Sequence, residues 1–208
     1  MSTDIEKSFV ATLTYNDGST NKYGAANVVD FDFSYNAMEA VSSSNLNDNL
    51  VAKNKDTAYL CANTNASSAA QLYFRWETVG SGGRYRIWVR SGPNTGKLLS
   101  MSNNGYLYAN ENSGRPHLFC LATQSAKDQP WKHVTGDSLS GGRLLIQQAD
   151  SETNLKVHSK NFPDSSDKTM WWSYITAEVG SEERYISLNI KDTNVDYAPS
   201  DVWGKGKA

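Results

Sequence analysis

The pentapeptide Tyr59-Leu60-Cys61-Ala62-Asn63 returns almost unchanged as Tyr106-Leu107-Tyr108-Ala109-Asn110, an offset of 106 − 59 = 47 residues. A weaker third copy reads Asn154-Leu155-Lys156-Val157-His158-Ser159, with Leu155 lying 155 − 107 = 48 residues after Leu107. A chain that repeats at a near-constant period builds its core from copies of one supersecondary unit, so the copy number selects the architecture. Apolar closing segments follow the copies in order: Leu72-Tyr73-Phe74-Arg75-Trp76, Leu118-Phe119-Cys120-Leu121 and Tyr174-Ile175-Thr176-Ala177. Unit openings match as well, Gly83-Arg84-Tyr85-Arg86-Ile87 against Gly142-Arg143-Leu144-Leu145-Ile146, with Phe31-Asp32-Phe33-Ser34-Tyr35 expected as the first opening.

Inside the units the hydrophobic period is two. Tyr85, Ile87 and Val89 share one face and Arg84, Arg86, Trp88 and Arg90 the other, which is the signature of a strand. Turn residues separate the runs at 92–96, at Asn103-Asn104-Gly105 and at 138–142; Asn104-Gly105 between two apolar runs predicts a tight hairpin. About four strands per unit and three units predict an all-β β-trefoil, because a propeller needs more blades. The expected layout is a trefoil with three unequal repeats over 31–180. It is preceded by an N-terminal strand or hairpin extension over 1–30 and followed by a C-terminal strand and tail over 181–208. Phe9-Val10-Ala11-Thr12-Leu13-Thr14-Tyr15 and Tyr185-Ile186-Ser187-Leu188-Asn189-Ile190 both alternate, and these terminal strands are expected to pair with each other outside the trefoil. The expected core includes Phe74, Trp76, Ile87, Leu107, Phe119, Ile146 and Val157.

Charge and motif content narrow the function classes. Twenty basic against twenty-two acidic residues give a formal net charge of -2, which supplies no global field for nucleic acid or an anionic membrane. No apolar run reaches the roughly 18 to 20 residues a membrane helix needs, and the first residues carry no basic leader, so a leaderless, cytoplasmic chain is expected. The two cysteines, Cys61 and Cys120, sit in apolar stretches away from any CxxC or His pattern, which predicts two free, buried thiols rather than a metal site or disulfide. HExxH, GxSxG and P-loop signatures are missing, and Asp192-Thr193-Asn194-Val195-Asp196 lacks the glycine and distal glutamate of a calcium loop. A non-enzymatic chain without metal or cofactor is expected.

The unit over 97–121, with Gly105-Tyr106-Leu107-Tyr108-Ala109-Asn110, a polar loop and a strand closed by Phe119, resembles the β-trefoil agglutinins and the fascin-like trefoils. The resemblance covers about 31–180. It implies a sugar binder, an actin bundler or a protease inhibitor, and it also implies leaderless cytosolic lectins that often occur as homodimers. The ricin-type Gln-x-Trp signature is missing, although Gln147-Gln148 falls near that strand, so ricin-like galactose sites do not carry over.

Sugar sites combine an aromatic plate with short polar side chains, and several neighbourhoods fit. The first joins His158, Asn161, Asp164, Trp171 and Trp172; adjacent tryptophans on a strand face opposite ways, so one is outward unless both are buried at a strand crossing. The second is Tyr108 and Asn110 with Asn112, against which stands a rim-covering tyrosine and a turn-capping asparagine. Trp131 and His133 form a third, unless Trp131 closes the core of the second unit. The row Arg84, Arg86, Trp88 and Arg90 suits phosphate or a sulfated or sialylated glycan; the competing reading is a solvated face with Trp88 lying across arginine stems. The expectation drawn from these is a carbohydrate-binding lectin, with glycans or glycoproteins as partners, no nucleic acid, no membrane insertion, and one or two working sites. The alternative is a protein-binding trefoil, a protease inhibitor or cytoskeletal cross-linker, that uses the loops at 92–96 or 138–142.

Overall fold

Strands begin where β-branched and aromatic residues alternate with polar ones, and they stop at glycine and asparagine turns. In the computed structural model the described residues are 3–16, 28–31, 33–34, 53–54, 58–63, 69–80, 82–111, 117–124, 130–139, 143–151, 153–163, 169–177 and 185–196. A four-residue helix, α1 (Asp4–Lys7), precedes β1 (Phe9–Asn16), β2 (Val28–Asp30), β3 (Phe33–Ser34), β4 (Lys53–Asn54) and β5 (Cys61–Asn63). Next come β6 (Gln71–Val79), β7 (Gly82–Val89), β8 (Leu98–Met101), β9 (Leu107–Asn110), β10 (Phe119–Gln124) and β11 (Lys132–Val134). A single 3-10 turn, Gly136–Ser138, then leads to β12 (Arg143–Gln148), β13 (Thr153–Pro163), β14 (Thr169–Ala177) and β15 (Tyr185–Thr193). The protein is all-β.

Local signals account for the ends of these elements. Thr3 caps α1: its hydroxyl accepts the Glu6 N–H at 3.3 Å, and its own N–H donates to the Glu6 carboxylate at 2.6 Å. The predicted Asn104-Gly105 hairpin joins β8 to β9, with Met101 opposite Leu107 and Gly105 at φ 77, a left-handed conformation that a side chain would strain. In β7 the alternation holds throughout, with Tyr85, Ile87 and Val89 buried and the residues between them half-buried.

All strand pairs are antiparallel, and seven strands link in a closed circuit of pairings: β1–β6–β7–β10–β12–β13–β15 and back to β1. Two links are single residue pairs, Tyr85 opposite Phe119 and Lys156 opposite Tyr185. The terminal strands pair along their length, from Phe9 opposite Thr193 to Asn16 opposite Tyr185, and β1 also pairs with β2 and β6. Inside lies one core. Phe9 stacks on Phe74 with ring centroids 4.7 Å apart, and Tyr85 meets both edge-on. Of the expected core, Phe74, Ile87, Leu107, Phe119 and Ile146 are buried, and Trp76 packs against the cluster while partly exposed; the side chain of Val157 lies outside the described residues. Cys61 and Cys120 are buried thiols outside any disulfide.

Three antiparallel hairpin-like pairs, β2–β5, β8–β9 and β13–β14, converge beside that circuit, and of their six strands only β13 also belongs to it. Leu60 donates its N–H to the Leu107 carbonyl, and Ile175 donates its N–H to the Leu60 carbonyl, both at 2.9 Å. Short bridges run alongside: Tyr59 opposite Tyr108, Tyr106 opposite Thr176, and Tyr174 opposite Cys61. The residue joined to Leu60 beside Leu107 is thus Ile175, whereas the spacing had pointed to Leu155. Leu155 sits on the other strand of the same hairpin, opposite Ala177, and is itself 1% exposed. Leu155 and Ile175 are both buried apolar residues of one strand pair, so hydrophobic spacing alone does not tell them apart.

Candidate functional site

Residues flanking an inward side chain on a strand face outward. With Leu60, Leu107 and Ile175 each 0% exposed, the residue before each one is turned toward the surface, and in all three hairpins that residue is tyrosine. Tyr59, Tyr106 and Tyr174 consequently meet. Their ring centroids are 6.4 Å (Tyr59 to Tyr106), 5.6 Å (Tyr59 to Tyr174) and 5.1 Å (Tyr106 to Tyr174) apart, with the first two pairs edge to face. Tyr108 adds a fourth ring 5.8 Å from Tyr59, and Asn110 donates its side-chain N–H to the Tyr108 phenol oxygen at 3.0 Å. All five side chains are half-buried, so the cluster is held by packing yet open on one side. Thr176 fixes the adjoining turn by donating its hydroxyl to the Gly105 carbonyl at 2.6 Å.

Chemically the cluster offers apolar ring surface and hydroxyls that both donate and accept, with one side-chain amide beside them. Of the residues singled out in the sequence, it unites Tyr108 and Asn110. The sequence reading missed Tyr59, Tyr106 and Tyr174, although a tyrosine ahead of the repeated apolar residue was the visible signal.

The remaining candidates fall elsewhere. Trp88 stands on β7 opposite Tyr73 and packs with Val10, Tyr73 and Val195 into a small second apolar cluster outside the main core. Tyr73 secures that cluster through a hydroxyl donated to the Val195 carbonyl at 2.9 Å. On β13 and β14, Asn161 pairs with Trp171, Lys160 with Trp172 and His158 with Tyr174. The side chains of His158, Asn161, Trp171 and Trp172, and Asp164 and Asn112 entirely, lie outside the described residues. Trp131 is half-buried and His133 is exposed on β11, which pairs only with β10 among the described residues.

One buried phenol serves the fold. Tyr85 donates to the Lys7 carbonyl at 3.0 Å and accepts the Gly136 N–H at 2.7 Å, and burial pushes its ionisation above the usual tyrosine range. Among the described residues no group of three His, Cys, Asp or Glu could hold a metal ion, and no helix is long and apolar enough to cross a membrane. No family model, curated protein or solved structure matches the chain.

Proposed function

We propose that the chain is a non-catalytic, glycan-binding β-trefoil lectin whose sugar site is the tyrosine cluster. Three sets of four strands support the trefoil reading: β1, β2, β5 and β6; β7 to β10; and β12 to β15. Within each set the outer two strands join the closed circuit and the inner two pair with each other, β13 alone among the inner strands also pairing into the circuit. On this reading β1 and β15 are the first and last strands of the trefoil, and 9–193 replaces 31–180 as its span.

The observation that carries the lectin reading is the meeting of Tyr59, Tyr106 and Tyr174 with Tyr108 and Asn110. The C–H face of a pyranose stacks on the open side of the rings, and its hydroxyls exchange hydrogen bonds with the Tyr108 phenol and the Asn110 amide. On this reading the protein has one composite site, where the three strand pairs meet. A glycan array tests the reading. Wild-type protein is expected to select a defined set of glycans, and Tyr106→Ala to lose about tenfold in affinity for them, the equivalent of roughly 1.4 kcal/mol. Folded wild-type protein that binds no glycan contradicts it.

A further inference from the structure

The outer face of the β6–β7 hairpin sets two arginines directly opposite each other. Register places Arg75 directly opposite Arg86, Glu77 opposite Arg84 and Tyr73 opposite Trp88. All six stand on the outer face, because Phe74, Tyr85 and Ile87 point into the core. Within β6 and β7 three guanidinium groups share that face with one carboxylate. Glu77 takes Arg86, at 2.9 Å with the two side chains 29% and 30% exposed. Arg84 donates to the carbonyl of its own neighbour Gly83 at 2.8 Å, and Arg75 has neither a hydrogen bond nor an ion pair among the described residues. Like charges directly opposite one another weaken a sheet, so the fold gains nothing from holding Arg75 against Arg86.

We infer that Arg75, Arg84 and Arg86 form an anion subsite that takes a sulfate group of a sulfated glycan. The inference rests on the lectin reading and adds the ligand's charge to it. Arginine's planar fork meets an oxyanion through two parallel hydrogen bonds, and its weak hydration makes that contact less costly than one to lysine. The Tyr73–Trp88 pair continues the same face under the cover of Val195 and bounds the arginines on that side. Carboxylates limit the length of ligand accepted. Asp4 and Asp196 border Arg75 in a cleft of about 360 Å³ between α1 and β6. Asp4 there accepts the Thr78 hydroxyl at 2.7 Å. A short sulfated sugar meets fewer of these acids than an extended nucleic-acid backbone would, on a chain whose net charge is already -2.

The test is calorimetric titration with a heparin-derived tetrasaccharide, its fully desulfated counterpart and a DNA oligonucleotide of equal charge. Proteins compared are the wild type, Arg75→Gln/Arg84→Gln and Tyr106→Ala. The sulfated tetrasaccharide is expected to bind wild-type protein and to lose about tenfold or more in the double-arginine variant. That variant keeps its array binding to neutral glycans and its melting temperature. Equal binding of the desulfated sugar, equal competition by DNA, or unchanged affinity in the double-arginine variant overturns the inference. In those cases neutral-glycan binding that is lost in Tyr106→Ala leaves the lectin reading standing. Failure of every glycan, sulfated or neutral, overturns both.

Discussion

Leu60 donates its backbone N–H to the carbonyl of Leu107 at 2.9 Å, so two copies of one short motif hold each other through their main chains. Leu60 and Leu107 are each 0% exposed, and the tyrosine before each reaches outward to the other's pair. Leu107→Ala should therefore destabilise the protein by about 2–5 kcal/mol, through lost burial plus a residual cavity. In urea this appears as a lower midpoint with an unchanged slope. Ile175→Leu, which restores the leucine of the other two copies, should cost less than about 1.5 kcal/mol.

Tyr85 ties the start of the chain to the 3-10 turn by holding Lys7 and Gly136 at once. Tyr85→Phe leaves a carbonyl and an N–H without this partner, which costs about 1–3 kcal/mol. The pH dependence follows from the same burial. The folded phenol ionises above the usual tyrosine value of about 10, so above that pH the unfolded chain has released a proton that the folded one retains. Stability is then present below pH about 10 and falls as pH rises beyond it. The difference between wild-type and Tyr85→Phe unfolding energies should shrink above pH about 10; a difference that stays flat to higher pH would refute the assignment.

Gly136 lies under the chain at the other end of that link. A Cβ there would press on the Lys7 carbonyl oxygen and come within 2.8 Å of the Phe9 ring, backbone and core groups with little room to give. Gly136→Ala is expected to lower stability by about 1–3 kcal/mol, measured as a drop in melting temperature.

Cys61 and Cys120 are 1% and 4% exposed. A thiol reagent such as Ellman's should label neither in native buffer over the time in which it labels both in denaturant. Fast stoichiometric labelling of the folded protein would contradict their burial.

Strand content was legible wherever the period of two was unbroken. The alternation of β7 and the Asn104-Gly105 hairpin depend on neighbours in sequence, and both stand in the structure as read. What the sequence left hidden depends on distant partners. Nothing local says that Phe119 pairs with Tyr85, or that β15 joins β13 as well as β1. Ile175 was missed because Leu155 in the paired strand satisfies the same hydrophobic pattern. The site was half visible for a related reason. Tyr108 and Asn110 belong to the best-preserved copy, whereas Tyr59 and Tyr174 reach it only through contacts between hairpins. Trp88 was correctly placed on the outer face, but the cover supplied by Val195 comes from the far end of the chain.

The most direct test of the tyrosine site is calorimetric titration of the tightest-binding neutral glycan into wild-type, Tyr106→Phe and Tyr106→Ala proteins of equal thermal stability. A ring that serves as a stacking plate predicts near-wild-type affinity for Tyr106→Phe and a loss of about tenfold or more for Tyr106→Ala. Equal affinity in all three proteins would show that the sugar lies elsewhere and would contradict the account.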